Sequence, residues 1–197
     1  MAKIAFLFAG QGAQAAGMGE DIYQSSSAAR AIFNLAGESI RELCFHGPAE
    51  ELNRTVNTQP CLFAMDLACA KAIQSLGVKA AGAAGFSLGE IPALAYAGAL
   101  SDAQALAFVR LRAQAMERCT AANPGAMYAV LKLPAEKVEQ ICQGLERAYP
   151  VNYNCPGQIV VACAETTAPA LQEAVAAQGG KALRLAVSGA FHSPFMD

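Results

Sequence analysis

The sequence predicts a mixed α/β fold in which a larger domain carries a smaller subdomain. Two observations predict this fold. Over the first 124 residues, short apolar runs of strand length are separated by longer segments with helical spacing of their apolar residues. After Asn123-Pro124-Gly125, strands and helices follow in the order β-α-β-β-α-β within about 60 residues, which is the order of a ferredoxin-like unit. We therefore expect a large domain over 1–124 and 188–197 and a subdomain over 125–187.

The elements expected in the large domain are bounded by recognisable start and stop signals. The first strand is apolar on both faces, as in a parallel sheet. Pro48 stands where a helix tolerates its missing N–H, Gly77 ends a helix, and Ser101 caps another. The expected strands are 4–9 and 80–86, and the expected helices are 28–44, a short one from 48, one from about 60 to 77, 88–99 and 101 to about 120.

The subdomain is expected to contain four strands and two helices. Its middle strands are joined by a Pro156-Gly157 turn, and its second helix ends at Gly179-Gly180. The expected strands are 127–131, 151–154, 158–163 and 182–187, and the expected helices are 134–145 and 167–178.

Composition excludes several classes of protein. Hydrophobic residues make up 54% of the chain and charged residues 15%, which is typical of a folded globular protein. A net charge of −2 gives no basic face, so we expect neither a nucleic acid nor a membrane as partner. The N-terminal apolar run is too short for a signal peptide, and no stretch has the length of a membrane helix.

Cysteine and histidine usage argues for a reducing compartment and against a metal site. The seven cysteines form an odd set without C-x-x-C spacing, and we expect buried free thiols in a cytoplasmic protein. Only His46 and His192 could add imidazole ligands, and neither has a second ligand at metal-site spacing. We therefore expect no metal.

The segment Gly85-Phe86-Ser87-Leu88-Gly89 matches the nucleophile-elbow pattern G-x-S-x-G. This pattern places a serine on a sharp turn between a strand and a helix, where flanking side chains would not fit. An apolar strand is expected before it and a helix after it. The alternative is an ordinary tight turn, but the strand–turn–helix context favours Ser87 as a nucleophile.

A serine nucleophile needs a base. His46 lies in a loop-like segment and is expected to be a solvated surface residue. His192 follows a predicted strand, where catalytic loops of α/β enzymes lie, although a lone histidine there would ordinarily have a packing role. With Ser87 present, His192 is the favoured base.

Two further features could belong to the same site. Gly10-Gln11-Gly12 is a tight turn after the first strand; it fits a dinucleotide fingerprint poorly, and we expect it beside Ser87. Arg110 and Arg112, two residues apart on one helix, point to different faces, so one can enter a pocket. Taken alone, both would be ordinary surface arginines.

These motifs, in this order and spacing, resemble the malonyl-CoA:acyl carrier protein transacylases and the acyltransferase domains of fatty-acid and polyketide synthases. The resemblance covers the whole chain. The matching segments are 8–14, Asn57-Thr58-Gln59-Pro60, Gly85–Glu90, 152–158 and Gly189-Ala190-Phe191-His192.

The resemblance implies an α/β-hydrolase-like large domain with the ferredoxin-like unit as an insert. It also implies malonyl transfer through a malonyl-Ser87 ester with His192 as base, and an oxyanion hole from the backbone N–H groups of Gln11 and Leu88. Arg112 matches the residue that binds the malonyl carboxylate, and Phe191 matches a ring that limits an α-methyl branch. The implied partners are malonyl-CoA and acyl carrier protein, and no cofactor is implied beyond coenzyme A in the substrate.

The chain departs from the family pattern in two places. Phe86 replaces a histidine that most members carry beside the nucleophile. Members also continue beyond the position of Asp197 and supply there a group that orients the histidine. We therefore expect exposed apolar surface, fraying near His192, weak catalysis, and self-association or completion by a second chain that supplies the C-terminal part.

Two alternatives to malonyl transfer stay open at the level of sequence. An acyl hydrolase or thioesterase could use the same scaffold, although a carboxylate-binding arginine has no use with simple acyl chains. A truncated, non-catalytic domain could instead only dock an acyl carrier protein. A covalent malonyl adduct on Ser87 would distinguish all three.

Overall fold

The computed structural model describes residues 3–197. The chain forms two compact units, the first ending at Gln114 and the second comprising Ala115–Asp197. The boundary falls inside a long helix, and 188–197 belong to the unit that contains the ferredoxin-like sheet. This differs from the expected division, which assigned the last ten residues to the large domain.

The first unit consists of helices around a small parallel sheet. Its strands are β1 (Ala5–Phe8) and β2 (Gly82–Gly85), and a 3₁₀ turn over Ser87–Gly89 follows β2 directly. Its helices are α1 (Glu20–Ser25), α2 (Ser27–Ala36), α3 (Glu38–His46), α4 (Ala49–Leu52), α5 (Thr55–Ser75), α6 (Glu90–Tyr96) and α7 (Asp102–Ala122), the last of which continues into the second unit.

Strands β1 and β2 pair in parallel, with Ala5 opposite Gly82 and Phe8 opposite Gly85. The expected neighbourhood of the two strands, and of the turns that follow them, is confirmed. The burial expected for the first strand on both faces, as in a parallel sheet, is wrong. Phe6 and Phe8 on one face of β1 pack into an apolar cluster, but the other face is exposed. Leu7 is 82% exposed, and Leu76 at the end of α5 is 83% exposed. Exposed apolar surface was expected; the self-association expected with it stays a prediction.

The helical boundaries differ from the sequence-based ones at two places. The expected helix over 28–44 is two helices, because Gly37 adopts a positive φ of 97° and separates α2 from α3. Helix α5 begins at Thr55 and contains Pro60, whereas the proline was expected at its start. Helix α5 is the centre of this unit, and its buried side chains include Cys61, Leu62 and Phe63.

The second unit has the expected β-α-β-β-α-β order. Its elements are β3 (Gly125–Leu131), α8 (Ala135–Gln143), β4 (Ala148–Cys155), β5 (Gln158–Ala164), α9 (Ala168–Ala177) and β6 (Lys181–Arg184). The four strands form an antiparallel sheet in the order β4-β5-β3-β6. This arrangement confirms the ferredoxin-like prediction.

Both faces of this sheet are covered. One face packs against α8 and α9, with Val130, Val138 and Leu171 in its core. The other packs against the C-terminal segment through Phe191 and Phe195, which join Met127, Val160 and Ala162 of the sheet. This packing explains why 188–197 belong to the second unit.

Helix α7 also holds the C-terminal segment. The thiol of Cys119 donates to the carbonyl oxygen of Met196 at 3.5 Å. The side-chain amide of Asn123 donates to the carbonyl oxygen of Phe195 at 3.4 Å. A 3₁₀ turn over Pro194–Met196 ends the segment. The residues that follow His192 are therefore anchored on the sheet and on α7, although we expected them to fray.

Two other features bear on the class of protein. No helix among the described residues is long and apolar enough to cross a membrane. All seven cysteines are free; Cys44, Cys61, Cys142 and Cys163 are buried as expected, whereas Cys155 is exposed.

Phe195 provides a test of how the C-terminal segment is held. Its ring is 1% exposed, meets the Tyr149 ring edge-on at 6.2 Å and lies under the Arg147 guanidinium at 4.3 Å. Phe195→Ala should lower the free energy of unfolding by about 3 kcal/mol in urea titrations. Leu183→Ala is the control: Leu183 is 52% exposed on the same sheet, so the loss should stay below about 1 kcal/mol. Equal losses in the two variants would contradict the anchoring role of Phe195.

Candidate active site

Ser87 lies at a sharp turn between β2 and α6. Its φ is 54°, which is a left-handed conformation that non-glycine residues seldom adopt. Such strain costs about 1–3 kcal/mol and persists where the surrounding packing imposes it. The predicted strand–turn–helix context of the G-x-S-x-G segment is confirmed.

The two flanking glycines are required by close backbone contacts. A Cβ atom on Gly85 would collide with the backbone carbon and oxygen of Gly89. A Cβ atom on Gly89 would in turn collide with the carbonyl oxygen of Phe8 at the end of β1. The elbow is therefore built by backbone packed on backbone, with β1 directly beneath it.

The Gly10-Gln11 turn adjoins this elbow. A Cβ atom on Gly10 would lie 2.6 Å from the Phe86 ring and 2.7 Å from the Phe86 carbonyl oxygen. The Gln11 side chain donates to the Thr55 hydroxyl at 3.2 Å, which fixes the turn to helix α5. Leu88, the residue after the nucleophile, is fully buried in the core, so its backbone position is fixed as well.

Arg112 contacts the nucleophile directly. Its Nη2 donates to Ser87 Oγ at 3.1 Å, and its Nη1 donates to Gln59 Oε1 at 2.8 Å. Gln59 is fully buried. Burial lowers the pKa of Arg112, and the negative charge of Glu90 opposes this shift. Arg110 points elsewhere and donates to the Ala36 carbonyl oxygen at 2.7 Å, so the predicted division of the two arginines between faces is confirmed.

One stripe of helix α5 carries the polar groups that support this site. Thr55, Gln59 and Asp66 are spaced by four and seven residues, which places them on one face of a helix. Thr55 contacts the Gln11 side chain and Gln59 contacts Arg112. The sequence motif containing Gln59 was noticed, but its contact with Arg112 was not foreseen.

Sequence reasoning missed Asp66 altogether. The signal was present, since Asp66 is the one charged residue among the ten residues 61–70. Its Oδ2 atom is buried and has no hydrogen-bond partner among residues 3–197. Burial raises the pKa of Asp66 to about 7, and the backbone N–H of Ala9, which favours the ionised form, acts in the opposite direction.

The remaining sequence-predicted residues lie in other parts of the chain. His192 is an exposed residue of the second unit with a φ of 61°, and the neighbouring Phe191 is 5% exposed within the apolar cluster on the sheet. A Cβ atom on Gly189 would collide with the Thr120 hydroxyl, so the chain before His192 lies tight against α7. His46 is exposed at the end of α3.

The described part of the chain contains no group of three or more histidine, cysteine, aspartate or glutamate side chains that could hold a metal ion. The first unit offers instead a strained serine beside a fixed cation. A guanidinium that donates to the serine Oγ can bind an anionic group of a substrate whose reacting carbon approaches that oxygen. The arrangement therefore suits acyl transfer from an acid-bearing acyl group.

Comparison with known proteins agrees with this geometry. A family model described as the acyl transferase domain matches residues 5–197. The malonyl CoA-acyl carrier protein transacylase of Bacillus subtilis is 40% identical over 205 residues, which cover 100% of this chain and 65% of that protein. The protein of the same name from Staphylococcus aureus strain MRSA252 is 38% identical, with 100% and 66% covered. The chain thus spans about two thirds of the length of these relatives.

Solved structures give the same result. The malonyl CoA-acyl carrier protein transacylase of Clostridium perfringens superposes with a TM-score of 0.92 at 35% identity, over 99% of this chain and 64% of that one. A type II polyketide synthase acyl carrier protein in complex with its malonyl-transacylase gives 0.93 at 35% identity, over 99% and 66%. The acyltransferase domain of the second salinomycin synthase module gives 0.91 at 37% identity, over 100% and 47%.

The raised pKa of Asp66 predicts an effect on stability. Between its ordinary value of 3.8 and about 7, the folded chain binds a proton that the unfolded chain has lost, so the folded state loses stability as pH rises through this range. Asp66→Asn cannot ionise. Relative to wild type, its free energy of unfolding should rise by about 1–3 kcal/mol between pH 5 and pH 8, because solvent screens part of the charge of Asp66.

Urea titrations at the two pH values measure this difference. Asp21→Asn on α1 is the control, because its exposed carboxylate should give the same small change at both pH values. An Asp66→Asn effect that is independent of pH would show that the carboxyl group is not ionising within the folded protein over this range.

Proposed function

This chain belongs to the acyl transferase domain family, and we propose that it transfers a malonyl group from coenzyme A to the phosphopantetheine thiol of an acyl carrier protein. The observation that carries the proposal is the Arg112–Ser87 contact of 3.1 Å. The malonyl carboxylate is one methylene away from the reacting carbonyl. A cation beside the nucleophilic oxygen is therefore placed for the carboxylate of this acyl group and has no use with an uncharged chain.

In the first half-reaction, Ser87 Oγ attacks the thioester carbonyl of malonyl-CoA. The ester C–O bond forms, the C–S bond breaks, and coenzyme A leaves as a thiol with the proton that the serine gave up. We assign this proton transfer to His192 on the strength of its sequence motif, since an unassisted serine hydroxyl is a weak nucleophile. The backbone N–H groups of Gln11 and Leu88 are proposed to stabilise the oxyanion.

In the second half-reaction, the thiol of the carrier protein attacks the malonyl-Ser87 ester. His192 takes the proton of the carrier thiol, the new C–S bond forms, the ester C–O bond breaks, and His192 passes this proton to Ser87 Oγ. The names of the relatives support the carrier protein as acceptor, and one structural neighbour is a transacylase in complex with its carrier protein. Each step uses side chains and backbone of this chain, with coenzyme A entering only as part of the substrate.

Arg112 and Phe191 are the proposed selectors of the acyl group. Arg112 is fixed by Gln59, so its guanidinium meets a carboxylate without first losing conformational freedom. We keep Phe191 as the proposed limit on an α-methyl branch on the strength of its sequence motif; packing in an apolar cluster fixes its ring. The fixed cation also favours transfer of acid-bearing groups over hydrolysis of simple acyl chains. Because all seven cysteines are free, we propose a reducing, cytoplasmic location.

The nucleophile can be tested by intact-mass measurement. After mixing with malonyl-CoA, the protein should gain the mass of one malonyl group, and Ser87→Ala should abolish this gain. Cys155→Ala is the control, because Cys155 is an exposed thiol that could be acylated adventitiously. An adduct that persists in Ser87→Ala, or that disappears in Cys155→Ala, would overturn the assignment.

Arg112 can be tested by comparing acyl groups. Loss of a charge-assisted bidentate contact costs a few kcal/mol, or roughly two to three orders of magnitude in kcat/KM. Arg112→Ala should therefore reduce malonyl transfer by this factor while sparing acetyl transfer. Arg110→Ala, a change of the same side chain on another face of the helix, should affect both acyl groups alike. An equal loss for malonyl and acetyl in Arg112→Ala would indicate a purely structural role.

A further inference from the structure

We propose that Asp66 is a positioning residue for the nucleophile elbow, holding the end of β1 beneath Ser87 in its ionised form and thereby making acyl transfer depend on pH. This inference rests on the proposed function. Asp66 lies on helix α5 and acts on the elbow through the backbone of Ala9.

Two contacts hold the end of β1. The carbonyl oxygen of Phe8 accepts from the N–H of Phe86, so the backbone groups of Phe8 face β2. Ala9 is the first residue after β1, and its backbone N–H interacts with the carboxyl group of Asp66. Asp66 therefore acts on the chain where β1 leads into the Gly10-Gln11 turn.

The elbow packs directly on this end of β1. Gly89 lies against the carbonyl oxygens of Phe8 and Ala9, so closely that no Cβ atom fits. A displacement of Ala9 therefore reaches Gly89, and through it the strained backbone of Ser87. The Gly10-Gln11 turn, which follows Ala9 directly, would move with it.

The surroundings of Asp66 are mostly apolar. The carboxyl group lines a cavity of about 200 Å³ together with the apolar strand β1 and with Cys69, Ala70 and Ile73 of its own helix. The titratable groups nearby are the Cys69 thiol on the same helix and Asp21 on α1. Burial raises the pKa of Cys69, and the negative charges of Asp66 and Asp21 raise it further. Burial raises the pKa of Asp66, and the Ala9 N–H lowers it.

An acid in such a place serves no evident structural purpose. Its Oδ2 atom is buried and unpartnered among the described residues, and its ionisation opposes folding at neutral pH. Proteins retain groups that lower stability at sites where those groups support activity. Asp66 lowers stability and interacts with the chain beneath the nucleophile, which is the pattern expected of such a group. The ionised carboxylate holds the Ala9 N–H more strongly than the neutral acid does. We therefore assign the active arrangement to the ionised form.

The kinetic test compares wild type with Asp66→Asn. Asparagine imitates the neutral acid, so kcat should fall about tenfold at pH 8 with little change in KM. Between about pH 8 and pH 6, log kcat/KM of wild type should fall by about one unit more than that of Asp66→Asn, because protonation of Asp66 removes the activity that the variant lacks at every pH. The wild-type profile therefore has the steeper slope over this range. Asp21→Asn should retain the wild-type slope.

A second readout does not depend on catalysis. In ¹H–¹⁵N spectra, the amide signals of Ala9 and Gly89 should titrate near pH 7 in wild type and in the control Asp21→Asn. They should not titrate in Asp66→Asn. If wild type forms no malonyl adduct, the proposed function fails while this titration still decides the role of Asp66. A Gly89 signal that ignores the ionisation of Asp66, or a variant slope equal to that of wild type, would overturn the inference.

Discussion

The contact between the backbone of Gly89 and the carbonyl oxygen of Phe8 is the constraint on which the site in the first unit depends. It brings the end of β1 against the elbow that follows β2, and it leaves no space for a side chain. The parallel pairing of the two strands sets this distance. Ser87 is held in a left-handed conformation because the chain on both sides of it is fixed by backbone contacts.

Helix α5 adds polar support to this backbone frame through a single stripe. Gln59 pairs with the Arg112 guanidinium and so offsets part of the cost of burying a cation next to Ser87. Thr55 binds the Gln11 side chain. Asp66 lacks such compensation for its Oδ2 atom, and its charge is therefore the least stable element of the stripe. Buried polar groups at a site of this kind contribute orientation at the expense of folding free energy.

Local sequence patterns predicted the features that depend on local chemistry. The elbow, the order of the ferredoxin-like unit and the division of Arg110 and Arg112 between faces follow from glycine positions, apolar runs and helical spacing. The exposure of Leu7 did not follow, because an apolar run cannot show which of its two faces other elements will cover. The role of Asp66 was also out of reach, since it depends on which backbone group of a distant strand faces the helix.

The two units position their candidate catalytic residues by different physical means. Ser87 is set by backbone packed on backbone, where no substitution of glycine is possible without movement. His192 also has a left-handed backbone, a conformation that histidine tolerates better than most residues. The chain around it is held by apolar side chains, because Phe191 and Phe195 on either side are buried on the ferredoxin-like sheet. Side-chain packing of this kind tolerates volume-conserving changes, so the segment around His192 should accept more sequence variation than the elbow does.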